Sequence, residues 1–152
     1  ALEWDGEYAH FRRVYAKNFK RMKKGLVLIW VAEHIEHEVI GQVFVQLTSS
    51  GRPDLADGIN NAYVYSFRVM PEHRGLGIGS MLMEQVETDL FQKGFSRVTL
   101  LVAIENAGAR RLYQRRGYQL TGIDPGRWTY EDQYGQQQEM HEPSFKMHKE
   151  LT

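Results

Sequence analysis

Seven residues, Arg74-Gly75-Leu76-Gly77-Ile78-Gly79-Ser80, join an alternating, strand-like run (62–69) to an amphipathic, helix-like run (81–93). No other part of the chain limits its fold as much. Three glycines at alternate positions leave the backbone bare just ahead of a helix, where the first amide N–H groups have no intrahelical acceptor. Several such groups can converge on one anion, and the helix dipole adds to the attraction. A chain with this turn is expected to be α/β and to hold a phosphate-bearing ligand where a strand hands over to a helix.

The rest of the chain agrees with that class. Residues 8–24 place Phe11, Tyr15, Phe19 and Met22 on one stripe and stop at Gly25, which predicts an amphipathic helix. Its outer face carries Arg12, Arg13, Lys17, Lys20, Arg21, Lys23 and Lys24 with no acid between them, a pattern that fits a solvated face or a site for an acidic ligand. Residues 26–32 and 39–47 are rich in β-branched and aromatic side chains and read as a hairpin around the polar stretch 33–38. The loop 49–61 is long enough to suggest a functional role. Tyr63, Tyr65, Phe67 and Val69 alternate with smaller or polar residues, and Pro71 ends that ladder. After the glycine turn, Leu82, Val86 and Leu90 give the next helix its buried stripe, and 98–103 is an apolar run of the kind covered on both faces. Asn106 is a suitable N-cap for a helix reaching Arg116, and Gly117 closes it. Strand, helix, strand, helix implies a right-handed crossover between neighbouring parallel strands. Phe145, Met147 and Leu151 alternate with polar residues in a closing strand.

Composition narrows the partners. The 152 residues, 42% apolar, can bury one core, so a single domain over 1–152 is expected. Basic and acidic side chains number 19 each, which gives no electrostatic case for nucleic acid or an anionic membrane. No apolar run has the length of a membrane span and no signal-peptide core opens the chain. The chain contains no cysteine, which excludes disulfides, thiolate metal sites and a cysteine nucleophile, and agrees with a cytoplasmic location. His34-x-x-His37 falls in a predicted turn without a third ligand, so no metal is expected.

Two common phosphate-binding patterns fail. A P-loop needs Lys-Ser or Lys-Thr after its second glycine, but Gly79 is followed by Ser80-Met81. The dinucleotide fingerprint started at Gly75 would need a glycine at Ser80 and an acid about 20 residues on. What remains resembles the GNAT superfamily of N-acetyltransferases. Arg74-x-x-Gly77-x-Gly79 is similar to its R/Q-x-x-G-x-G/A signature. The segment Asn106, then Arg110-Arg111-Leu112-Tyr113, then Arg116-Gly117-Tyr118 resembles its N-x-x-A-x-x-L-Y-x-x-x-G-F segment, with Arg110 in place of a more usual small or apolar residue. The resemblance runs over 26–151 and is strongest over 63–118. Members of the superfamily usually start with a strand before the first helix, whereas Ala1 opens inside the first helical region. The first strand is thus expected to be missing or atypical.

The resemblance implies a mixed, mostly antiparallel sheet with a splayed parallel pair, flanked by helices, and acetyl-CoA as cosubstrate for an amine acceptor. It also implies that Gly75, Leu76, Gly77, Ile78, Gly79 and Ser80 surround the pyrophosphate with Arg74 adding charge. Phe67, Arg68 and Val69 would present backbone groups to the pantetheine arm, and Asn106 would hydrogen-bond the cofactor. Tyr113 would serve as general acid to the departing thiolate; the residues alone equally allow a core tyrosine with a polar tip. The amine must lose a proton before attack. The strands at 62–69 and 98–103 hold no carboxylate or imidazole, so Glu33, His34, Glu131, Asp132, His141 and Glu142 are the candidate bases, with Tyr65 lining a water path.

In the insertion 124–142, Trp128, Tyr130 and Tyr134 interleave with Glu131, Asp132 and Glu139, which fits either a pocket for a cationic amine or a surface hairpin. The expected activity is acetyl transfer from acetyl-CoA to a primary amine by direct attack. A non-catalytic acyl-CoA-binding domain and a structural or dimerisation module stay open, as does a homodimer.

Overall fold

A computed structural model describes residues 12–152. The start of the first expected helix, with Phe11 on its stripe, lies outside the described residues. Helix α1 (Arg12–Lys23) is followed by β1 (Val27–Glu33), β2 (Val39–Gln46) and β3 (Asn61–Val69). Then come α2 (Ile78–Gln92), β4 (Arg97–Ala103), α3 (Ala107–Arg115), β5 (Gln119–Asp124), β6 (Arg127–Glu131), β7 (Gln137–His141) and β8 (Ser144–Glu150). Six strands form one sheet in the order β1-β2-β3-β4-β8-β5, while β6 and β7 form a separate hairpin.

Within the sheet, β3 and β4 are the parallel pair and their four neighbouring pairings are antiparallel. The crossover through α2 joins β3 to β4, as the strand-helix-strand order requires. Alternation along β2 divides the core. Val43 and Val45 join α2 residues Leu82, Met83, Val86 and Leu90 on one face. On the other, Phe44 meets Tyr15 of α1 edge-on, with Phe19, Ile29 and Tyr65 around them.

The apolar run expected as a doubly covered strand is β4, in which Val98, Leu100 and Val102 are buried in the α2-side core. Strand β5 lacks such a signal. Leu120 and Ile123 are exposed, and its pairing with β8 shifts between Leu120 and Gly122, so no regular period marks it. No helix among the described residues is long and apolar enough to cross a membrane.

One buried carboxylate fixes α3 against α2. Glu87 accepts hydrogen bonds from Arg116 Nη2 at 3.1 Å, Tyr118 Oη at 3.1 Å and Lys149 Nζ at 2.6 Å. Its side chain is only 9% exposed, so removing it strands two cations in a poorly solvated corner. Glu87→Ala is expected to lower unfolding free energy by about 3 kcal/mol, measured by urea titration.

Candidate active-site cleft

The parallel pairing of β3 with β4 runs from Asn61 opposite Arg97 to Val64 opposite Leu100 and then stops. Beyond it, the strands part. Residues 63–69 on one side and Leu101 to Ala103 on the other line a cleft of about 1650 Å³, which continues to the start of α2 and under the β6–β7 hairpin. Ordinary small-molecule pockets hold roughly 300–1,000 Å³, so this cleft is larger than one small ligand needs.

A bulge in β3 shapes the wall. Gln42 pairs with Arg68 and Phe44 with Tyr65, so Ser66 and Phe67 together oppose Val43. Ser66 takes φ = 49°, a left-handed conformation rare for a non-glycine residue. The regular alternation expected of Tyr63, Tyr65, Phe67 and Val69 therefore breaks at Ser66. Tyr63 and Tyr65 stack at 5.4 Å, with Tyr65 against the α1-side cluster, whereas Phe67 turns to the α2 side against Tyr113. Arg68 instead faces α1 and donates to Tyr15 Oη at 2.9 Å. Behind the bulge, fully buried Gln42 donates through Nε2 to the Ser66 carbonyl at 3.1 Å, while its Oε1 has no protein partner among the described residues.

The glycine turn forms the far end of the cleft. Gly77 is the residue before α2, at φ = 83°, and no side chain caps the helix. The first turn of α2 carries no acid. The earliest bond into the helix runs from Met81 N to Gly77 O, so the amide groups of Ile78, Gly79 and Ser80 have no intrahelical acceptor. Gly79 packs so close to Phe67 that a Cβ there would lie 2.9 Å from the ring. Gly75, Gly77, Ile78, Gly79, Ser80 and Arg74 line the cleft. Leu76 does not, and stands 68% exposed. Arg74 Nε donates to the Val69 carbonyl at 2.7 Å, which ties the turn back to the end of β3. Such a group of backbone donors suits an anion.

Asn106 lines the same cleft and caps α3 by accepting from Ala109 N at 3.1 Å. Tyr113 is 6% exposed, lines the cleft, and touches Phe67 and Tyr118 with its ring. Burial pushes its phenol above the usual value, so it stays protonated at neutral pH. Burial likewise raises Tyr63, to about 12. Thus Phe67, Arg68, Val69, the turn residues apart from Leu76, Asn106 and Tyr113 share one surface.

The candidate bases separate. Glu33 and His37 bond each other at 2.7 Å in the β1–β2 turn, and His34 packs its ring on His73, so neither Glu33 nor His34 lines the cleft. Asp132 is used within the hairpin: its carboxylate accepts from the amides of Tyr134 and Gln136 and from Gln138, which holds its pKa low. His141 does not line the cleft, whereas Glu131 and Glu142 do. Glu131 accepts from Arg13 Nη1 at 2.9 Å, and Glu142 has no side-chain partner among the described residues. Of the aromatics in the insertion, Trp128 and Tyr130 line the cleft and Tyr134 is exposed at the hairpin tip. No local pattern announces that Arg52 and Asp124 meet; they pair at 2.6 Å and place the long loop beside the cleft.

Replacing Gly77 by alanine meets no neighbour within 4 Å but forces a side chain into a left-handed conformation. Gly77→Ala is expected to cost about 1 kcal/mol of stability, measured by urea unfolding.

Comparison with known proteins matches this architecture. The model of the Acetyltransferase (GNAT) family matches residues 2–118. The rice protein serotonin N-acetyltransferase 2, chloroplastic (Oryza sativa subsp. japonica) is 36% identical over 84 residues, which is 51% of this chain and 42% of that protein. The chain spans less than half the length of the curated relatives it matches. Among solved structures, the PaiA N-acetyltransferase of Thermoplasma acidophilum in complex with coenzyme A superposes with a TM-score of 0.67 at 18% identity, over 91% of this chain and 70% of that one. The ribosomal-protein-S18-alanine N-acetyltransferase of Escherichia coli gives 0.68 at 18% identity, over 92% and 76%. The structural likenesses carry the fold, and the family model, matched over most of the length, carries the membership: this chain belongs to the GNAT family of acetyltransferases.

Proposed function

We propose that this chain transfers the acetyl group of acetyl-CoA to a primary amine by direct attack, without a covalent enzyme intermediate. One observation carries the reading: an uncapped, acid-free helix start opens onto the gap between two parted parallel strands. The amides of Ile78, Gly79 and Ser80 suit the cofactor's pyrophosphate, with the Arg74 guanidinium beside them. Past Val64, the β4-facing backbone groups of β3 have no strand partner and suit the amide-containing pantetheine arm. The cofactor supplies an activated thioester carbonyl. A β3 amide freed at the bulge can polarise that carbonyl oxygen as charge develops on it.

Tyr113, protonated through burial and open to the cleft, gives its proton to the departing sulfur. The ammonium of the acceptor has to be deprotonated first. Glu142 is the cleft carboxylate without a side-chain partner among the described residues and receives that proton, directly or through water. The structure of PaiA with coenzyme A and the names of the relatives support the cofactor and the amine class.

Calorimetry with coenzyme A should show binding that Gly77→Ala weakens about tenfold; absence of heat at millimolar ligand overturns the proposal. Tyr113→Phe should lower kcat about a hundredfold in a free-thiol assay with little change in the KM for acetyl-CoA. Binding without thiol release from any amine would leave a non-catalytic acyl-CoA-binding domain. Turnover should rise with pH as the amine loses its proton and show no descending limb below pH ~10, because the phenol's raised pKa keeps it protonated throughout. A fall beginning near pH 8 would remove Tyr113 as the acid. Glu142→Gln should cost about tenfold in kcat at neutral pH, recovered as pH approaches the acceptor's pKa.

A further inference from the structure

The net charge of the chain is zero, yet the cleft is not balanced. Eight arginine and lysine side chains line it against three carboxylates, Asp124, Glu131 and Glu142. Arg74 belongs to the glycine turn. Two other cations are neutralised within the wall, Arg13 by Glu131 and Arg52 by Asp124. Five remain: Arg68 donates to Tyr15 Oη, while Lys17, Arg21, Arg115 and Arg127 have no ion-pair partner among the described residues, and of these Lys17 and Arg21 stand together on α1.

Their position follows from α1. Arg13, Lys17 and Arg21 recur every four residues and so share one helix face, the one that lines the cleft. Lys20, Lys23 and Lys24 of the same basic run do not line it. Cations in the last turn also complement the helix dipole, which accounts for Lys20, Arg21 and Lys23 but not for Lys17, nor for which side chains face inward.

The direction of α1 then decides which ligand they meet. Tyr15 is bonded to Arg68, and Asn18 accepts from Tyr65 Oη at 2.7 Å. Moving from Tyr15 to Arg21 along α1 therefore retreats along β3, by about 9 Å, away from Val69 and the glycine turn. The charge of Arg21 is felt at the Tyr65 phenol, opposing the effect of burial there. Lys17 and Arg21 thus stand beyond the bulge, on the side opposite the cofactor's phosphates, where the acceptor enters. At the other end of α1 the Arg13–Glu131 pair ties the helix to β6 across the cleft, which favours a small molecule over a threaded polypeptide.

We propose that the acceptor is a small amine that also carries an anionic group, a carboxylate or phosphate, held by Lys17 and Arg21 while its ammonium meets Glu142. The inference rests on the acetyltransferase reading above and deepens it.

Matched acceptors test it: phenylalanine with phenethylamine, 4-aminobutyrate with butylamine, and phosphoethanolamine with ethylamine, each assayed for thiol release. At least one anionic member should exceed its partner in kcat/KM by about tenfold, mainly through KM. Lys17→Met/Arg21→Met should erase that preference, whereas Lys20→Met, outside the cleft, should keep it. The pair that shows the preference tells carboxylate from phosphate. Equal or better use of the uncharged partners, or a preference that survives the double substitution, overturns the inference and leaves the acetyltransferase reading in place. If no acceptor releases thiol, that reading fails instead. The anion site is then judged by calorimetry of N-acetylphenylalanine against N-acetylphenethylamine on the coenzyme A-loaded protein. Tighter binding of the carboxylate, lost in the double variant, supports it, and no difference or no heat at 10 mM (~) overturns it.

Discussion

The early end of the β3–β4 ladder is the constraint on which the cleft depends. Parallel strands inside a sheet normally pair along their length, since unmatched backbone groups are costly to bury. Here four residue pairs hold the strands together and the rest diverge. The bulge at Ser66 moves Phe67 to the α2 side, where it meets Gly79 and Tyr113, and turns Arg68 toward α1. Gln42 bonds the Ser66 carbonyl from within the sheet and leaves its own oxygen unmatched among the described residues. An unsatisfied buried oxygen costs about 1–3 kcal/mol. That cost falls at the residue supporting the irregular backbone, where a leucine would pack without it but could not bond the carbonyl.

The helices divide the work around this gap. On one face, α2 supplies open amides and is braced to α3 through Glu87, so the turn at Gly77 and the side chains of Asn106 and Tyr113 keep fixed relative positions. On the other, α1 is joined to β3 by Tyr15–Arg68 and Asn18–Tyr65 and contributes cationic side chains. Backbone donors thus serve one end of the cleft and side chains the other.

Much of this was legible in the sequence because local patterns carry it. The glycines at 75, 77 and 79 announce a bare helix entrance, and Asn106 to Gly117 reads as a helix with both ends capped; both elements stand where expected. The mixed sheet with one parallel pair agrees with the resemblance to the GNAT superfamily. What escaped notice is set by distant contacts. The bulge at Ser66 depends on Gln42, 24 residues away, and breaks an alternation that looked regular. Neither pairing of Glu131 with Arg13 nor use of Asp132 inside its turn follows from spacing, so the insertion offered more free carboxylates on paper than the cleft contains. Strand β5 carries too few regularly placed apolar residues to declare itself.

The separate β6–β7 hairpin gives the molecule unequal stiffness. It meets α1 through the Arg13–Glu131 pair, about half exposed on both sides, and through Tyr130 against the aromatic cluster. Two strands alone are marginal in water, and an exposed pair contributes at most about 1 kcal/mol. Lifting this flap therefore demands far less than unfolding the sheet. In the proposed reaction, one substrate meets a rigid socket of main-chain atoms that tolerates little sequence drift, while the other meets a pliable rim whose residues can diverge without disturbing the socket. On that reading, descendants of such a chain can change the molecule they modify sooner than the donor they draw from.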